Sequence, residues 1–203
     1  MIKPEWFYRP LQMAGYIYDD YPCSRESGCA FLRGTIARTI QHLDTMQVKG
    51  DVAEFGVASG KLSRMLRAVT PRTLHLFDTF WSVPGLPDYY AVHELDVINT
   101  IGGSDGVVIH KGLFPDETAG DCDDLRLAFS FIDFNLYQAT YAALDFVWDR
   151  TVEHGVILCH DFDAIPQVCT AIKAWCGRNG VGFALLGDAV GTVVIVKPAK
   201  GEK

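Results

Sequence analysis

GDVAEFGVASGKLS, residues 50–63, joins a short apolar run to a glycine-containing turn and then to residues with helical spacing. The apolar run predicts a buried strand over 51–57, and the apolar residues of 61–69 fall on one face of a predicted helix. Gly56 and Gly60 would let a ligand approach the backbone closely, and the first amide groups of the helix would point towards it. We therefore expect a ligand-binding turn here, although the glycines alone also fit an ordinary tight turn.

The rest of the chain repeats this alternation of apolar runs with helical patterns, which is typical of a parallel sheet covered by helices. The last two apolar runs are separated only by residues 187–191, too few for a crossover helix, so we expect an antiparallel hairpin. The sequence thus predicts an α/β fold with a seven-stranded, mostly parallel sheet, an antiparallel last strand and helices on both faces. The predicted strands are 51–57, 73–77, 106–110, 127–132, 155–159, 182–186 and 192–196, and the other predicted helices are 30–43, 137–152 and 166–176.

The composition is that of a globular protein and narrows the choice of partners. Hydrophobic residues make up 49% of the 203 residues and charged residues 21%, which is enough apolar material for a core. There are 18 Lys and Arg against 25 Asp and Glu, a net charge of −7. This sign disfavours binding to nucleic acid or to an anionic membrane. We therefore expect a small-molecule partner, and a homodimer is left open.

The expected organisation is one main domain, residues 51–203, preceded by an N-terminal helical segment, residues 1–50, that is a candidate lid. The start lacks the apolar run of a signal peptide, and no stretch of about 18 apolar residues predicts a membrane span. A cytoplasmic location is therefore expected. Six scattered cysteines without a closely spaced pair predict reduced thiols and no zinc site.

Asp78 follows the second predicted strand about 20 positions after the glycine turn, where a carboxylate can bind both hydroxyls of a ribose. A solvated aspartate at a strand end is the alternative. Gly112 and the apolar pair after it end the third predicted strand and could border the flat face of an adenine. Trp81 and the aromatic residues of 89–93 are candidates for a substrate mouth or for core packing. The turn at 56–60 matches neither the GxGxxG pattern of dinucleotide sites nor a Walker loop.

Five blocks of sequence, in order and taken together, resemble the macrocin O-methyltransferase family. They lie between residues 50 and 163 and read GDVAEFGVASGKLS, LFDTFWSVPGLP, HKGLFPDE, FIDFNLYQAT and GVILCHDF. The resemblance implies a Rossmann-like class I methyltransferase that transfers the methyl group of S-adenosylmethionine to a hydroxyl of a small molecule, such as a sugar or another natural product. A divalent metal, commonly magnesium, would assist. The expected hairpin agrees with this resemblance, because a class I methyltransferase sheet ends in an antiparallel strand, whereas a dinucleotide dehydrogenase sheet normally ends in a parallel one.

The resemblance extends the ligand-binding turn to a complete cofactor site. Glu54 would hold the ammonium of the methionine part, the turn would contact the rest of that part, and Asp78 would bind the ribose. The expected cofactor-binding residues are Glu54, Phe55, Gly56, Ala58, Ser59, Gly60, Asp78, Thr79, Gly112 and Asp133.

A metal site is implied at the ends of the fourth and fifth strands, where this chain has Asp133, His160 and Asp161. If these strands are neighbours, their ends lie about 5 Å apart and side chains from both can reach one cation. The two carboxylates suit magnesium, whereas His160, in place of an acid of the family, softens the site towards manganese, iron or zinc. The alternative is that Asp161 or Asp163 merely caps the following helix while Asp133 ends a strand.

Asn135 stands where the family has a carboxylate that is a proposed general base, and an amide cannot usefully accept a proton at neutral pH. His160 is then the expected base, with Asp133 as the other catalytic residue, unless the metal alone acidifies the acceptor hydroxyl. Phe134, in the family's glycine position, would reshape the acceptor pocket. Two alternatives stay open: a catalytically silent S-adenosylmethionine-binding protein of the same fold, and a nicotinamide-dependent oxidoreductase, against which the terminal hairpin and the missing phosphate pattern argue.

Overall fold

Short apolar runs form strands, and amphipathic segments between them form helices. A computed structural model of the protein describes residues 26–81, 92–120, 122–188 and 190–201, with 26–30 described by backbone alone. The helices are α1 (Glu26–Thr45), α2 (Lys61–Val69), α3 (Glu94–Ile101), α4 (Tyr137–Arg150) and α5 (Pro166–Asn179). The strands are β1 (Asp51–Phe55), β2 (Leu74–Asp78), β3 (Val107–Lys111), β4 (Leu127–Ile132), β5 (Thr151–Cys159), β6 (Ala184–Leu185) and β7 (Val193–Val196).

The described strands form one seven-stranded sheet in the order β3-β2-β1-β4-β5-β7-β6. The pairings from β3 through β5 are all parallel, whereas β7 runs antiparallel to both of its neighbours, β5 and β6. The predicted mostly parallel sheet and its terminal hairpin are therefore confirmed. Because the strand order reverses between β1 and β4, a crevice opens at the carboxyl ends of these two strands, where α/β proteins bind ligands.

Helices cover both faces of the sheet, and the residues of β1 alternate between the two faces. Val52 packs with the core formed by α1, α2 and α3, whereas Ala53 and Phe55 pack with the core formed by α4 and α5. Trp175 of α5 is fully buried in the second core. Burial on both faces is typical of central parallel strands, and it fixes the strand ends that border the crevice.

Helix α1 belongs to the first of these cores. Ile36, Ala37 and Ile40 are fully buried and pack with residues of α2, β4 and β5. The expected helix over 30–43 therefore covers the sheet. The candidate lid includes residues 1–25, which lie outside the described residues, so the lid stays a prediction.

Four of the five described helices differ from the sequence-based expectation: α1 and α5 are longer, α4 ends at Arg150 rather than at 152, and α3 was not predicted. Helix α3 is only eight residues long, and Val97 is the one residue of it that is buried. It begins after His93, whose ring nitrogen accepts a hydrogen bond from the N–H of Leu95, and histidine is not a strong capping signal. Helix α5 continues through Gly177 and ends at Gly180, which takes the left-handed conformation (φ 64°) that commonly ends helices.

Four strands differ in length from the prediction: β1 ends at Phe55 rather than at 57, β7 begins at Val193 rather than at 192, β5 is longer and β6 is shorter. Strand β5 begins at Thr151, directly after α4, and its pairing with β4 shifts register between Leu127 and Phe129. Strand β6 is only two residues long, and both of its residues are exposed. Among the residues described, Cys122, Cys159, Cys169 and Cys176 form no disulfide bond. None of the helices described is long and apolar enough to cross a membrane.

Candidate active site

A cavity of about 410 Å³ lies at the carboxyl ends of β1, β2, β4 and β5. It brings together the turn after β1, the acid at the end of β2 and the acids that follow β4 and β5. Its walls are formed by Gly56, Ala58, Asp78, Thr79, Trp81, Gly112, Leu113, Phe114, Asp133, Phe134, Asn135, Leu136, Gln138, Ala139, His160 and Asp161.

The turn after β1 is shaped by three residues with left-handed backbone, Gly56 (φ 87°), Ala58 (φ 45°) and Gly60 (φ 74°). A Cβ at Gly56 would lie 2.5 Å from the backbone oxygen of Asp133, so glycine is required where the turn passes the end of β4. The N–H of Asp133 donates to the carbonyl of Phe55 at 2.7 Å. These contacts fix the turn against β4 and leave its open side to the cavity.

Asp78 holds the same turn from the end of β2. Its Oδ2 accepts from the N–H groups of Val57 at 2.6 Å and Ala58 at 3.1 Å, and its Oδ1 accepts from the N–H of Phe80 at 3.2 Å. The Thr79 hydroxyl lies 3.3 Å from Oδ1 but 3.0 Å from a backbone carbonyl, and its single proton serves one acceptor at a time. Since a carboxylate has about four acceptor sites, Oδ1 keeps one for a ligand when the hydroxyl donates to the carbonyl.

Glu54 lies behind the turn and is not among the residues that line this cavity. Its side chain is buried, and Oε2 accepts a hydrogen bond from the Ser63 hydroxyl of α2 at 2.6 Å. Burial raises the pKa of Glu54 well above its ordinary value; the Ser63 hydrogen bond opposes the rise, and the charges of Asp133 and Asp78 add to it. Its assignment as the ammonium ligand stays a prediction.

The other predicted turn residues, Phe55, Ser59 and Gly60, also lie off the cavity wall. The Phe55 ring stacks on Phe77 at 4.5 Å inside the core, because strand alternation turns this side chain away from the crevice. Gly60 is buried where it precedes α2. Any contact of Phe55 or Gly60 with a ligand would have to come from the backbone.

Glu54→Gln is expected to stabilise the protein at alkaline pH. Because the folded state favours the protonated Glu54 carboxyl, wild type loses stability as the pH rises from the unfolded towards the folded pKa. Glutamine removes that loss and still accepts from Ser63. We expect the Tm of E54Q to exceed that of wild type by about 2–4 °C at pH 8, or roughly 1 kcal/mol, and by less at pH 5.

Thermal unfolding at these two pH values measures the effect. Glu153, an exposed residue of β5, supplies the matched control: Glu153→Gln should leave the Tm unchanged at both pH values. Equal Tm values for E54Q and wild type at pH 8 would contradict the burial argument.

Asp133, His160 and Asp161 come together at the ends of β4 and β5. One ligand atom from each lies within 4.8 Å of the others, and Nε2 of His160 is 3.7 Å from Oδ1 of Asp161. Burial raises the pKa of Asp133 to about 6, with His160 opposing the rise and Asp161 adding to it. Asp161 has a left-handed backbone, φ 61°, which is uncommon for a residue other than glycine. Two carboxylates and a nitrogen at this spacing form a donor set that fits a divalent cation.

The helix-capping alternative for these acids is not supported. Helix α5 begins after Ile165 with no side-chain capping hydrogen bond and with Pro166 in its first turn. Asp161 contributes its backbone carbonyl, which accepts from the N–H of Ile165 at 2.9 Å, while the residue itself lines the cavity.

Phe134 and Asn135 follow Asp133 on the cavity wall, as the sequence analysis expected. The Phe134 ring lies 5.7 Å from that of Phe114 and 6.3 Å from that of Phe55. The bulky residue therefore connects the wall of the cavity to the aromatic core, and Asn135 follows it on the wall.

The start of α4 adds wall residues that the sequence analysis did not identify, Leu136, Gln138 and Ala139. The signal was present, since α4 begins almost directly after β4 and its first turn must therefore face the crevice. Trp81 lines the cavity, and its role in a substrate mouth stays a prediction. The aromatic residues predicted beside it at 89 and 90 lie outside the described residues.

Comparison with known proteins adds a family and several similar folds. A family profile described as "Methyltransferase domain" matches residues 53–162, and no curated protein matches the chain in sequence. The solved O-methyltransferase NovP has a TM-score of 0.76 at 19% identity, covering 95% of this chain and 98% of its own.

Two further structures have the same fold. CalS11, a TDP-rhamnose 3'-O-methyltransferase of calicheamicin biosynthesis, has a TM-score of 0.60 at 16% identity, covering 100% of this chain and 97% of its own. An O-methyltransferase from Bacillus cereus in complex with SAH has a TM-score of 0.61 at 14% identity, covering 97% of this chain and 92% of its own. At these identities the similarity is one of fold.

Proposed function

The chain belongs to the methyltransferase domain family, and from that premise we propose that it is an S-adenosylmethionine-dependent O-methyltransferase acting on a hydroxyl of a small molecule. One observation carries the proposal: a single cavity is bordered by the turn after β1, by Asp78, and by Asp133 with His160 and Asp161. The turn and Asp78 suit a nucleoside with an amino-acid tail, and the other three residues suit activation of a hydroxyl.

S-adenosylmethionine would lie along the ends of β1 and β2. Gly56 and Ala58 would contact the methionine part through their backbone, and the remaining acceptor site on Oδ1 of Asp78 would take one ribose hydroxyl. The second hydroxyl would compete with the turn N–H groups for Oδ2. Gly112 and Phe114 would border the adenine. The Bacillus cereus structure, solved with SAH, supports this choice of cofactor.

Asp78→Ala is expected to lower the affinity for S-adenosylmethionine at least about tenfold, or roughly 1.4 kcal/mol. The substitution removes a ribose acceptor and releases the two N–H groups of the turn. Affinity for Mn²⁺ should change by less than about threefold, because Asp78 is not part of the Asp133 cluster. Titration calorimetry measures both affinities.

Asp105→Ala, at an exposed position before β3, is the control and should change neither affinity. A matching loss of cofactor and Mn²⁺ affinity in D78A would contradict the separation of the two sites, and an unchanged cofactor affinity would contradict the role of Asp78.

Asp133, Asp161 and Nε2 of His160 are proposed to hold a divalent cation, magnesium or, because of the nitrogen ligand, manganese. Two adjacent carboxylates, one of them half-buried with a raised pKa, support a positive charge between them. When bound, the cation would act as a Lewis acid that orients the acceptor hydroxyl and lowers its pKa.

In the proposed reaction, the acceptor oxygen attacks the sulfonium methyl in line with the breaking carbon–sulfur bond. The carbon–oxygen bond forms, S-adenosylhomocysteine and the methyl ether result, and one proton is released. His160 would take that proton at Nε2, since the Asn135 amide cannot. A His160 that binds the cation cannot also take the proton, so the metal dependence of transfer decides between these two roles. Much of the rate would come from holding both reactants in line.

The proposed acceptor is a sugar or another natural product that carries apolar surface beside its hydroxyl. CalS11 acts on TDP-rhamnose according to its description, which supports a sugar. Trp81, Phe134 and Leu136 give the cavity wall an aromatic and aliphatic character, which suits an apolar portion of the substrate.

The test is transfer of a labelled methyl group from S-adenosylmethionine to a panel of sugars, diols and phenols, with Mg²⁺, Mn²⁺ or EDTA. We expect saturable cofactor binding and transfer to at least one hydroxyl class. Tight binding of a nicotinamide dinucleotide and none of S-adenosylmethionine would overturn the proposal.

Asn135 motivates a second candidate, a protein that binds S-adenosylmethionine without turnover. Cofactor binding with no transfer to any panel member, with or without metal, would favour this candidate. A homodimer, a cytoplasmic location and an N-terminal lid remain predictions from the sequence.

A further inference from the structure

A chain of hydrogen bonds leads from the hairpin between β6 and β7 to His160. Nδ1 of His160 lies 2.9 Å from Oγ1 of Thr192, and that oxygen lies 2.5 Å from Oδ2 of Asp188. Oδ1 of Asp188 accepts from the N–H of Thr192 at 2.8 Å. Thr192 is fully buried. Because β7 pairs Val193 with Cys159, the sheet register brings Thr192 beside His160.

The protons in this chain can be assigned by counting donors and acceptors. A threonine hydroxyl has one proton, and an ionised carboxylate only accepts. The short contact with Asp188 therefore takes the Thr192 proton, since two acceptors would repel each other at that distance. Thr192 must then accept from His160, so Nδ1 carries a proton. In a neutral imidazole, this leaves the lone pair on Nε2.

We infer that Asp188 and Thr192 are positioning residues that fix His160 in the tautomer with a proton on Nδ1, so that Nε2 presents its lone pair to the cavity beside Asp161. The use of this lone pair, as a cation ligand or as the proton acceptor, rests on the proposed function. The assignment of the tautomer does not rest on the proposed function. A histidine free in water prefers the opposite tautomer, so the hydrogen-bonded chain supplies what the isolated side chain lacks.

Nitrogen-15 NMR of histidine-labelled protein at alkaline pH, where imidazole is neutral, distinguishes a protonated from a bare ring nitrogen. Wild type should show His160 with bare Nε2. Thr192→Ser, which keeps the hydroxyl, should retain this signature. Thr192→Val, which removes the hydroxyl at similar volume, should shift His160 towards protonated Nε2.

Asp188→Asn gives the sharpest contrast because it should reverse the direction of the hydrogen bonds between residue 188, Thr192 and His160. Its single side-chain oxygen is required by the N–H of Thr192, so the amide NH₂ group must face Oγ1. The Thr192 proton then turns to Nδ1 of His160, and Nε2 becomes protonated. If Thr192→Val fails to fold, Asp188→Asn and Thr192→Ser still carry the test.

Binding of Mn²⁺ alone, measured by calorimetry, is the second readout. D188N and T192V should weaken it about 10–100-fold, as expected for partners that orient a metal ligand, and T192S should preserve it. A wild-type His160 protonated at Nε2, or a tautomer unchanged in both D188N and T192V, would overturn the inference. A wild type with bare Nε2 that binds no Mn²⁺ would support the tautomer and contradict the cation site of the proposed function.

Discussion

Asp133→Asn should lower methyl transfer at least about 100-fold, the scale expected when a group that stabilises developing charge is removed. The affinity for S-adenosylmethionine should stay within about threefold of wild type. The variant removes the half-buried negative charge that Asp133 contributes to the cluster with His160 and Asp161. Asparagine has nearly the same size and leaves the backbone hydrogen bond to Phe55 intact.

Folding and function can be separated in this variant. Since burial disfavours the ionised Asp133 carboxylate, D133N should unfold at the same or a higher temperature than wild type. Initial rates, cofactor titration and Mn²⁺ titration measure the three properties. Asp124→Asn, an exposed acid before the amino end of β4, should leave all three unchanged. Wild-type transfer by D133N would exclude Asp133 from the chemistry.

Gly56→Ala is expected to destabilise the protein by about 2–5 kcal/mol, which combines a strained left-handed backbone with overpacking. For a chain of this length the Tm should fall by roughly 6–15 °C. Gly56 has φ 87°, and its added Cβ would lie 2.5 Å from the backbone oxygen of Asp133. Neither backbone can move without shifting the turn, so cofactor binding should be lost even where the variant stays folded.

Gly102→Ala separates strain from steric clash. Gly102 also has a left-handed backbone, φ 95°, but a Cβ there meets nothing within 4 Å. We expect a cost of about 1 kcal/mol, or about 2–4 °C in Tm, with normal cofactor affinity. Equal effects of G56A and G102A on stability and on cofactor binding would show that the close approach to Asp133 is unimportant.

The local units of the fold were predictable from the sequence. Helix α2 was predicted with its observed bounds because its apolar spacing is regular, and the short connection at 187–191 was enough to predict the antiparallel hairpin. The meeting of Asp133 with His160 and Asp161 was also predictable, since parallel strand ends share one edge of a sheet. The helix needs only its local apolar spacing, and the hairpin and the acidic cluster need only the order of the elements and the lengths of their connections.

The face of β1 on which the Glu54 side chain lies was not predicted, although the alternation of side chains along a strand determines it. Phe55 faces the core formed by α4 and α5, so Glu54 must face the opposite layer. There the Ser63 hydroxyl donates a hydrogen bond to its carboxyl group. The link from Asp188 through Thr192 to His160 could not be predicted, because it depends on the register between β5 and β7. A hydroxyl in a hairpin gives no local signal of such a partner.

S-adenosylmethionine is proposed to lie along the ends of β1 and β2 with a cation site beside it. A crystal structure grown with S-adenosylhomocysteine and Mn²⁺ tests this arrangement. We expect ligand density against Gly56 and Ala58, a ribose hydroxyl on Oδ1 of Asp78, and anomalous scattering from manganese among Asp133, His160 and Asp161. Ligand bound elsewhere, or strand ends covered by the protein's own side chains at saturating ligand, would contradict it.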